Sequence, residues 1–331
     1  MAKNRKVFIC QNCGYRSPTW SGKCPDCGEW GTFVEEIEEK PKGLRNSWIA
    51  LEPSELIPVN RVERGAFTRL RSGIGEFDRL TGGGIVKGSV SLLSGEPGIG
   101  KSTFLLQLSE KLTRYGAVIY VSAEESPEQI SLRAERLGIL NSNIFILADN
   151  NLEQISRIMS ERMPALVVFD SIQTLYLPHL ESAPGSVSQV RECAALITKM
   201  SKFKGITSFI VGHVTKDGGI AGPKVLEHIV DAVFQFEGDR GHNFRIMKSL
   251  KNRFGSTGEI AVFQMENCGL IEVPNPSKFF LSERPKGKSG SVIFAGIEGT
   301  RPVLLEVQAL VTRASFATPQ RRSKGVNSNR L

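Results

Sequence analysis

The segment Gly95-Glu96-Pro97-Gly98-Ile99-Gly100-Lys101-Ser102 has the spacing GxxxxGKS and is followed by Thr103. Few patterns restrict a fold so strongly, because this loop works only between a buried strand and a helix. Ser89 to Ser94 supplies the apolar strand, and Phe104, Leu105, Leu108 and Leu112 give an amphipathic helix from about Gly100 to Arg114. The residue types suit a polyphosphate. Glycines let backbone N–H groups converge on phosphate oxygens, Lys101 reaches the β and γ phosphates, and Ser102 offers its hydroxyl to Mg²⁺. The start of the helix adds the positive end of its dipole. The expected ligands are a nucleoside triphosphate and Mg²⁺.

Downstream, apolar runs and helical patterns alternate: Ala117 to Ser122, a helix from Pro127, Ile144 to Leu147, a helix from Leu152, Ala165 to Asp170, a helix from Val187, then Ile206 to Gly212. That alternation predicts an α/β fold with a mostly parallel sheet and helices on both faces. Ligands of such sheets sit at the C-terminal strand ends. Leu166-Val167-Val168-Phe169-Asp170 is an apolar strand ending in an acid, the Walker B form, in which Asp170 holds Mg²⁺ through water. Ser122-Ala123-Glu124-Glu125-Ser126 brings two acids to another strand end, and either can take a proton from an attacking water. The alternative for each is an acid favoured by a helix dipole; with Pro127 next door it suits Glu125 better than Glu124.

Six cysteines fall into two classes. Cys193 and Cys268 are isolated, whereas Cys10-Gln11-Asn12-Cys13 and Cys24-Pro25-Asp26-Cys27 are paired CxxC units, each followed by a glycine that can turn a tight knuckle. Four thiolates suit tetrahedral Zn²⁺ and close its coordination sphere, which makes the site structural. Disulfides or a redox CxxC are the alternatives, and a nucleotide site without a secretory signal argues against them. Trp20 and Trp30, with Tyr15 and Phe33, are expected to cover this unit. The charged stretch from Glu35 to Gly43 then reads as a linker, so the zinc unit is expected to be tethered and not packed.

Net charge is +8, and residues 240–331 carry fifteen Lys/Arg against six Asp/Glu. The basic excess therefore lies in the last quarter and points to an acidic partner such as nucleic acid, with solubilising surface charge as the bland alternative. No apolar run approaches the ~18 residues of a membrane span. A soluble, cytoplasmic protein without a membrane partner is expected.

The order of these parts carries a family resemblance. The four-cysteine unit, RSGIGEFDRLTGGGI, SGEPGIGKST, SAEES, DSIQT, SAPGSVSQVRE, GHVTKDGGIAGPKVLEH and KNRFGSTGE together closely resemble the bacterial RadA/Sms recombination and repair ATPases of the RecA/DnaB class. The likeness covers essentially the whole chain, and KNRFG, from Lys251 to Gly255, is its most specific part. It implies ATP as the triphosphate and a RecA-like ATPase core behind a zinc ribbon, with Glu124 as the catalytic glutamate and His213 sensing the γ-phosphate. Lys251 and Arg253 resemble the cations that ring helicases extend to the triphosphate of a neighbouring subunit. Further implications are a DNA-stimulated ATPase in double-strand break repair, branch migration on single-stranded and branched DNA, a homo-hexameric ring, and partnership with a RecA-type recombinase and a replicative helicase. The loops Tyr176 to Ser186 and Lys216 to Lys224 resemble those that face the DNA channel, with a pure connector role as the alternative. Readings outside the motor class are a nucleotide-switched interaction module and a clock-type autokinase; the zinc unit argues against the latter.

The expected domains are a ribbon at 1–34, a linker at 35–68, the ATPase core at 69–275 and, at 276–331, the start of an incomplete domain like that of Lon protease. Ser291 to Ile297 and Pro302 to Thr312 look like strands of that fragment, followed by the basic tail with Arg321, Arg322 and Lys324. No serine–lysine pair can be placed for peptidase chemistry.

Overall fold

Three short strands open the chain: β1 (Arg5–Cys10) lies between β2 (Arg16–Ser17) and β3 (Phe33–Glu38), antiparallel to both. In this computed structural model the described residues are 5–38, 56, 58, 68–213, 223–238, 243–282, 284, 289–313 and 320–326. The expected linker and the loop from Lys216 thus fall largely outside them. Next, β4 (Arg69–Leu70) pairs with β5 (Ile85–Val86) across the short helix α1 (Gly75–Leu80).

The alternating run follows as β6 (Val90–Gly95), α2 (Lys101–Leu112), β7 (Val118–Ser122), α3 (Pro127–Arg136), β8 (Ile144–Leu147), α4 (Leu152–Arg162), β9 (Leu166–Asp170), α5 (Val187–Lys204), β10 (Thr207–His213), α6 (Pro223–Ile229) and β11 (Ala232–Glu237). Three antiparallel strands complete the sheet: β12 (Phe244–Asn252), β13 (Ile260–Glu266) and β14 (Gly269–Glu272). The order across it is β14-β13-β12-β11-β6-β10-β9-β7-β8, parallel from β11 to β8. The chain leaves β6 for β7, which lies beyond β10 and β9. This separation opens a crevice at the C-terminal ends of these strands.

Strands covered on both faces must be apolar throughout, and every residue of β6 and β7 is buried. Alternate side chains feed two cores. Leu93, Tyr120 and Phe209 join Phe77 of α1 and Phe104 of α2 on one face, while Leu92, Val121 and Ile210 meet Ile155 of α4 and Ile197 of α5 on the other. In the first core Phe77 and Phe104 stack edge to face at 5.0 Å, and Phe104 meets Phe236 and Phe263, each at 5.7 Å. Such pairs contribute about 0.5–1.5 kcal/mol each beyond burial. They fix α2, and so the loop ahead of it, to β11 and β13.

The turn after β12 rests on the glycine run that precedes the nucleotide loop. Arg69 donates to Thr81 O at 3.1 Å, Gly84 O at 2.9 Å and Phe254 O at 2.7 Å. A Cβ on Gly82 would lie 3.5 Å from Gly255 Cα, so the two glycine turns meet backbone to backbone.

Residues Asn275–Leu331 form a separate compact unit. It contains α7 (Pro276–Phe280) and the hairpin of β15 (Ser291–Glu298) and β16 (Arg301–Gln308). Only Pro276 and Val303 are buried among its described residues.

Candidate functional site

Gly95, Gly98 and Gly100 adopt φ values of 151°, 77° and 118°, a left-handed course that folds the loop's backbone inward. A Cβ on Gly95 would stand 2.9 Å from Phe236 O, so β11 walls the loop as well as pairing with it. Arg245 braces the far side by donating from Nε to Ile99 O at 3.1 Å. Lys101 is buried, and its Nζ donates to Gly95 O at 2.8 Å and Glu96 O at 2.9 Å. Burial holds this ammonium down to about 8, against the pull of Asp170 and Glu124.

A cleft of about 370 Å³ opens above the loop, and Lys101, Ser102, Glu124 and Asp170 all line it. Residues separated by up to sixty-nine positions meet because β6, β7 and β9 end on the same side of the sheet. Tyr120, inside β7, donates its hydroxyl to Asp170 Oδ2 at 2.6 Å and is also hydrogen-bonded to Ser102. Burial and the neighbouring Asp170 push the Tyr120 phenol well above its ordinary value, so it stays protonated and orients the carboxylate. A carboxylate and a hydroxyl side by side at the foot of a phosphate loop form a fitting donor set for Mg²⁺.

The two acids after β7 have different partners. Ser171 donates to Glu124 Oε1 at 2.5 Å, whereas Glu125 takes a two-pronged ion pair from Arg133 at 2.6 and 2.7 Å. Glu125 is not the helix cap: Ser126 caps α3, in a reciprocal box with Gln129. β10 ends at His213, in register with Gly95, so its backbone reaches the loop's first glycine.

Lys251 and Arg253 do not join the cleft. Lys251 donates to the carbonyls of Glu227 and Val230 at the end of α6, and burial lowers its proton affinity. Arg253, half exposed, pairs through Nη1 with the buried Asp231 at 3.3 Å, beside Lys202. The loop Tyr176 to Ser186 is more constrained than its composition suggests. Buried Gln189 of α5 receives Leu177 N and donates to the carbonyls of Leu177, Leu180 and Ser182.

In the N-terminal unit Cys10, Cys13, Cys24 and Cys27 place their sulfurs within 4.8 Å of one another. The Cys10–Cys27 and Cys13–Cys24 separations are 3.7 and 3.5 Å, close to the ~3.8 Å edge of a tetrahedral zinc–thiolate site. Gly14 N and Gly28 N donate to Cys10 O and Cys24 O, closing two knuckles with φ of 77° and 76°. Burial pushes the Cys10 thiol up, but hydrogen bonds from Thr32 and from the backbones of Cys13 and Asn12 outweigh it and hold it near 6. Burial raises Cys13, and its sulfur neighbours add to this; a bound cation reverses that penalty.

Two expectations about this unit are corrected. Trp20 and Trp30 are 61% and 73% exposed, and the small core is Cys10, Cys24 and Phe33. The converging cysteines and Phe33 themselves fill the volume that tryptophans would otherwise have to cover. Nor is the unit merely tethered, since a Cβ on Gly14 would lie 3.1 Å from Val225 Cγ2 and 3.4 Å from Val187 Cγ1. The knuckle's bare backbone lets α5 and α6 approach. The expected zinc content is about one ion per chain, with Cys13→Ser abolishing it and unfolding β1–β3 while the nine-stranded sheet keeps its cooperative melt. Metal analysis and thermal denaturation check both halves, and metal-free protein purified without chelator contradicts the first.

Residues that patterning did not reveal are Tyr120, Ser171, Arg133, Arg136 and Arg245. Tyr120 reads as one more apolar strand position, and Arg133 and Arg136 as ordinary basic residues of a last helical turn. Only the strand order sets Tyr120 against Asp170 and brings the two arginines to the cleft.

A phosphate loop on a central parallel strand, with a buried lysine and acids from two further strand ends, defines a P-loop ATPase with a RecA-type core, here joined to a four-cysteine zinc ribbon. An AAA domain family matches residues 60–219, and a rubredoxin metal binding domain family matches residues 8–35. A KaiC-like protein from hyperthermophilic archaea, Pyrococcus horikoshii, shares the fold with a TM-score of 0.52 and 23% identity, covering 63% of this chain and 100% of that one. The chain is 51% identical to the DNA repair protein RadA of Bacillus subtilis over 338 residues and 54% identical to that of Aquifex aeolicus over 331. Each match spans 100% of this chain and 73% of the relative. The chain belongs to the RadA family of DNA repair proteins, and it is an ATP hydrolase with a zinc-binding ribbon. Among the described residues no helix is long and apolar enough to cross a membrane.

Proposed function

We propose that this protein is a DNA-stimulated ATPase that processes recombination intermediates in double-strand break repair. It promotes branch migration of strand exchange begun by a RecA-type recombinase, and moves on single strands as a homo-hexameric ring. Lys101 and the glycine loop bind the triphosphate, Ser102 and Asp170 hold Mg²⁺, Glu124 takes the proton of the attacking water, and His213 senses the γ-phosphate. Mg²⁺ held by Ser102 and Asp170 would supply positive charge against the phosphoryl being transferred. The replicative helicase is a further partner.

The position of KNRFG carries this reading. Lys251 and Arg253 line no part of their own cleft, and Arg253 is half exposed, which leaves it available to a neighbouring chain. Cations supplied across a subunit boundary tie hydrolysis to assembly. The basic excess of residues 240–331 supports a nucleic-acid partner.

ATP turnover with and without single-stranded DNA, measured over a range of salt concentrations, tests the reading. Stimulation of about tenfold or more at low salt, falling as salt rises, is expected for a backbone-tracking motor. Slow turnover that DNA does not change at any salt concentration supports instead a nucleotide-switched module.

A further inference from the structure

The nucleotide cleft is rich in acid. Glu124, Glu125 and Asp170 line it, with Lys101 as the cation from the phosphate loop. A magnesium-bound triphosphate is itself anionic, so Lys101 alone leaves like charge facing like charge in a partly desolvated space. The balance comes from α3, where Arg133 and Arg136 stand three residues apart on one face, and both line the same cleft.

Their position is built in. The capping box at Ser126 fixes the start of α3, and Ile130, fully packed into the first core, fixes its rotation. Glu125 grips both terminal nitrogens of Arg133 at 2.6 and 2.7 Å. A guanidinium has five N–H donors, so this grip orients the group while leaving donors for a second anion. Arg133 also lies within the field of Asp170. Arg136 is exposed at the cleft and has no ion pair among the described residues.

We propose that Arg133 and Arg136 form a same-chain basic wall of the nucleotide site that binds the anionic polyphosphate opposite Lys101, with Glu125 as the positioning residue for Arg133. This wall differs from the KNRFG cations in acting on the chain's own nucleotide. It also gives Glu125 a task that Glu124 does not share.

Calorimetric titration of the full chain with Mg·ATP, at low and at moderate salt, tests the assignment together with steady-state turnover. Arg136→Gln is expected to weaken ATP about tenfold, to reduce the salt dependence of binding, and to raise KM more than it lowers kcat, with Arg136→Lys recovering most of the loss. Arg133→Gln and Glu125→Gln are each expected to weaken ATP, and the double variant to be no worse than Arg133→Gln alone, because Glu125 acts through Arg133. ATP affinity within twofold of the unaltered protein in Arg136→Gln overturns the role of Arg136, and the same result in a folded Arg133→Gln overturns that of Arg133. Should Arg133→Gln fail to fold, Arg133→Met, which keeps an unbranched apolar stem but removes the charge, takes its place: ATP affinity and KM within twofold of the unaltered protein reject the wall at that position.

Discussion

Lys101→Ala is expected to lower ATP turnover by about 10²–10³-fold, and Glu124→Gln by about 10²–10⁴-fold with ATP still bound. The two losses differ in kind. Lys101 is a buried cation whose present partners are the loop's own carbonyls, Gly95 O and Glu96 O. Its removal leaves both acceptors and the incoming phosphates without a donor. Glu124→Gln keeps an oxygen for the Ser171 hydroxyl, so the loop after β7 is expected to hold while the proposed proton acceptor is gone. A Glu124→Gln protein that hydrolyses ATP at the normal rate sinks the base assignment. Glu125→Gln, whose carboxylate is committed to Arg133, is expected to lose far less turnover. Lys101 also sets a pH dependence. Because burial lowers its folded value to about 8, the nucleotide-free protein loses this charge as pH rises through that value, and ATP affinity is expected to fall there. Binding titrations from about pH 7 to about pH 9 check the break, which Lys101→Ala should lack.

On the proposed role across a subunit boundary, Arg253→Ala is expected to bind ATP normally yet hydrolyse it roughly 10³-fold more slowly, since the missing guanidinium would serve a neighbour's transition state. The half-exposed side chain and its absence from the lining of its own cleft underlie this expectation. Mixing supplies the geometry. A Lys101→Ala chain, inactive at its own site but with an intact Arg253, should restore turnover to Arg253→Ala chains in mixed assemblies. Sizing with nucleotide bound must first establish that the two co-assemble. Co-assembly without recovery at any ratio would make Arg253 a same-chain group, and its pair with Asp231 would then be its working position.

Much of the core was readable because its signals are local. Apolar runs bounded by turns anticipated β8 as Ile144–Leu147 without error, and β6, β7, β9 and β10 to within a residue at each end. Pro127 and Val187 marked two helix starts through a proline at the first turn and a serine cap. What escaped depends on strand order. Nothing near Tyr120 in sequence indicates that its hydroxyl will meet Asp170, fifty residues on, because their pairing exists only once β7 and β9 lie side by side. The packing of the ribbon escaped for another reason, although its four cysteines were legible. Aromatic residues near a four-cysteine cluster suggest a cover, but Trp20 and Trp30 lie outside while Cys10, Cys24 and Phe33 form the interior, with Cys13 and Cys27 packed against them.

Arg69 has a consequence for exchange of parts between related proteins. One guanidinium joins the glycine turn ahead of the nucleotide loop to a turn at Phe254, which lies 185 residues beyond Arg69 itself. The two stretches are therefore a single mechanical part encoded in two places. A chimera that imports the Lys251–Gly255 turn from a distant homologue inherits its side chains but not its seat, unless Arg69 and the Gly82-Gly83-Gly84 run travel with it. Recombination within such a family should accordingly tolerate breakpoints that keep both stretches from one parent better than those that separate them.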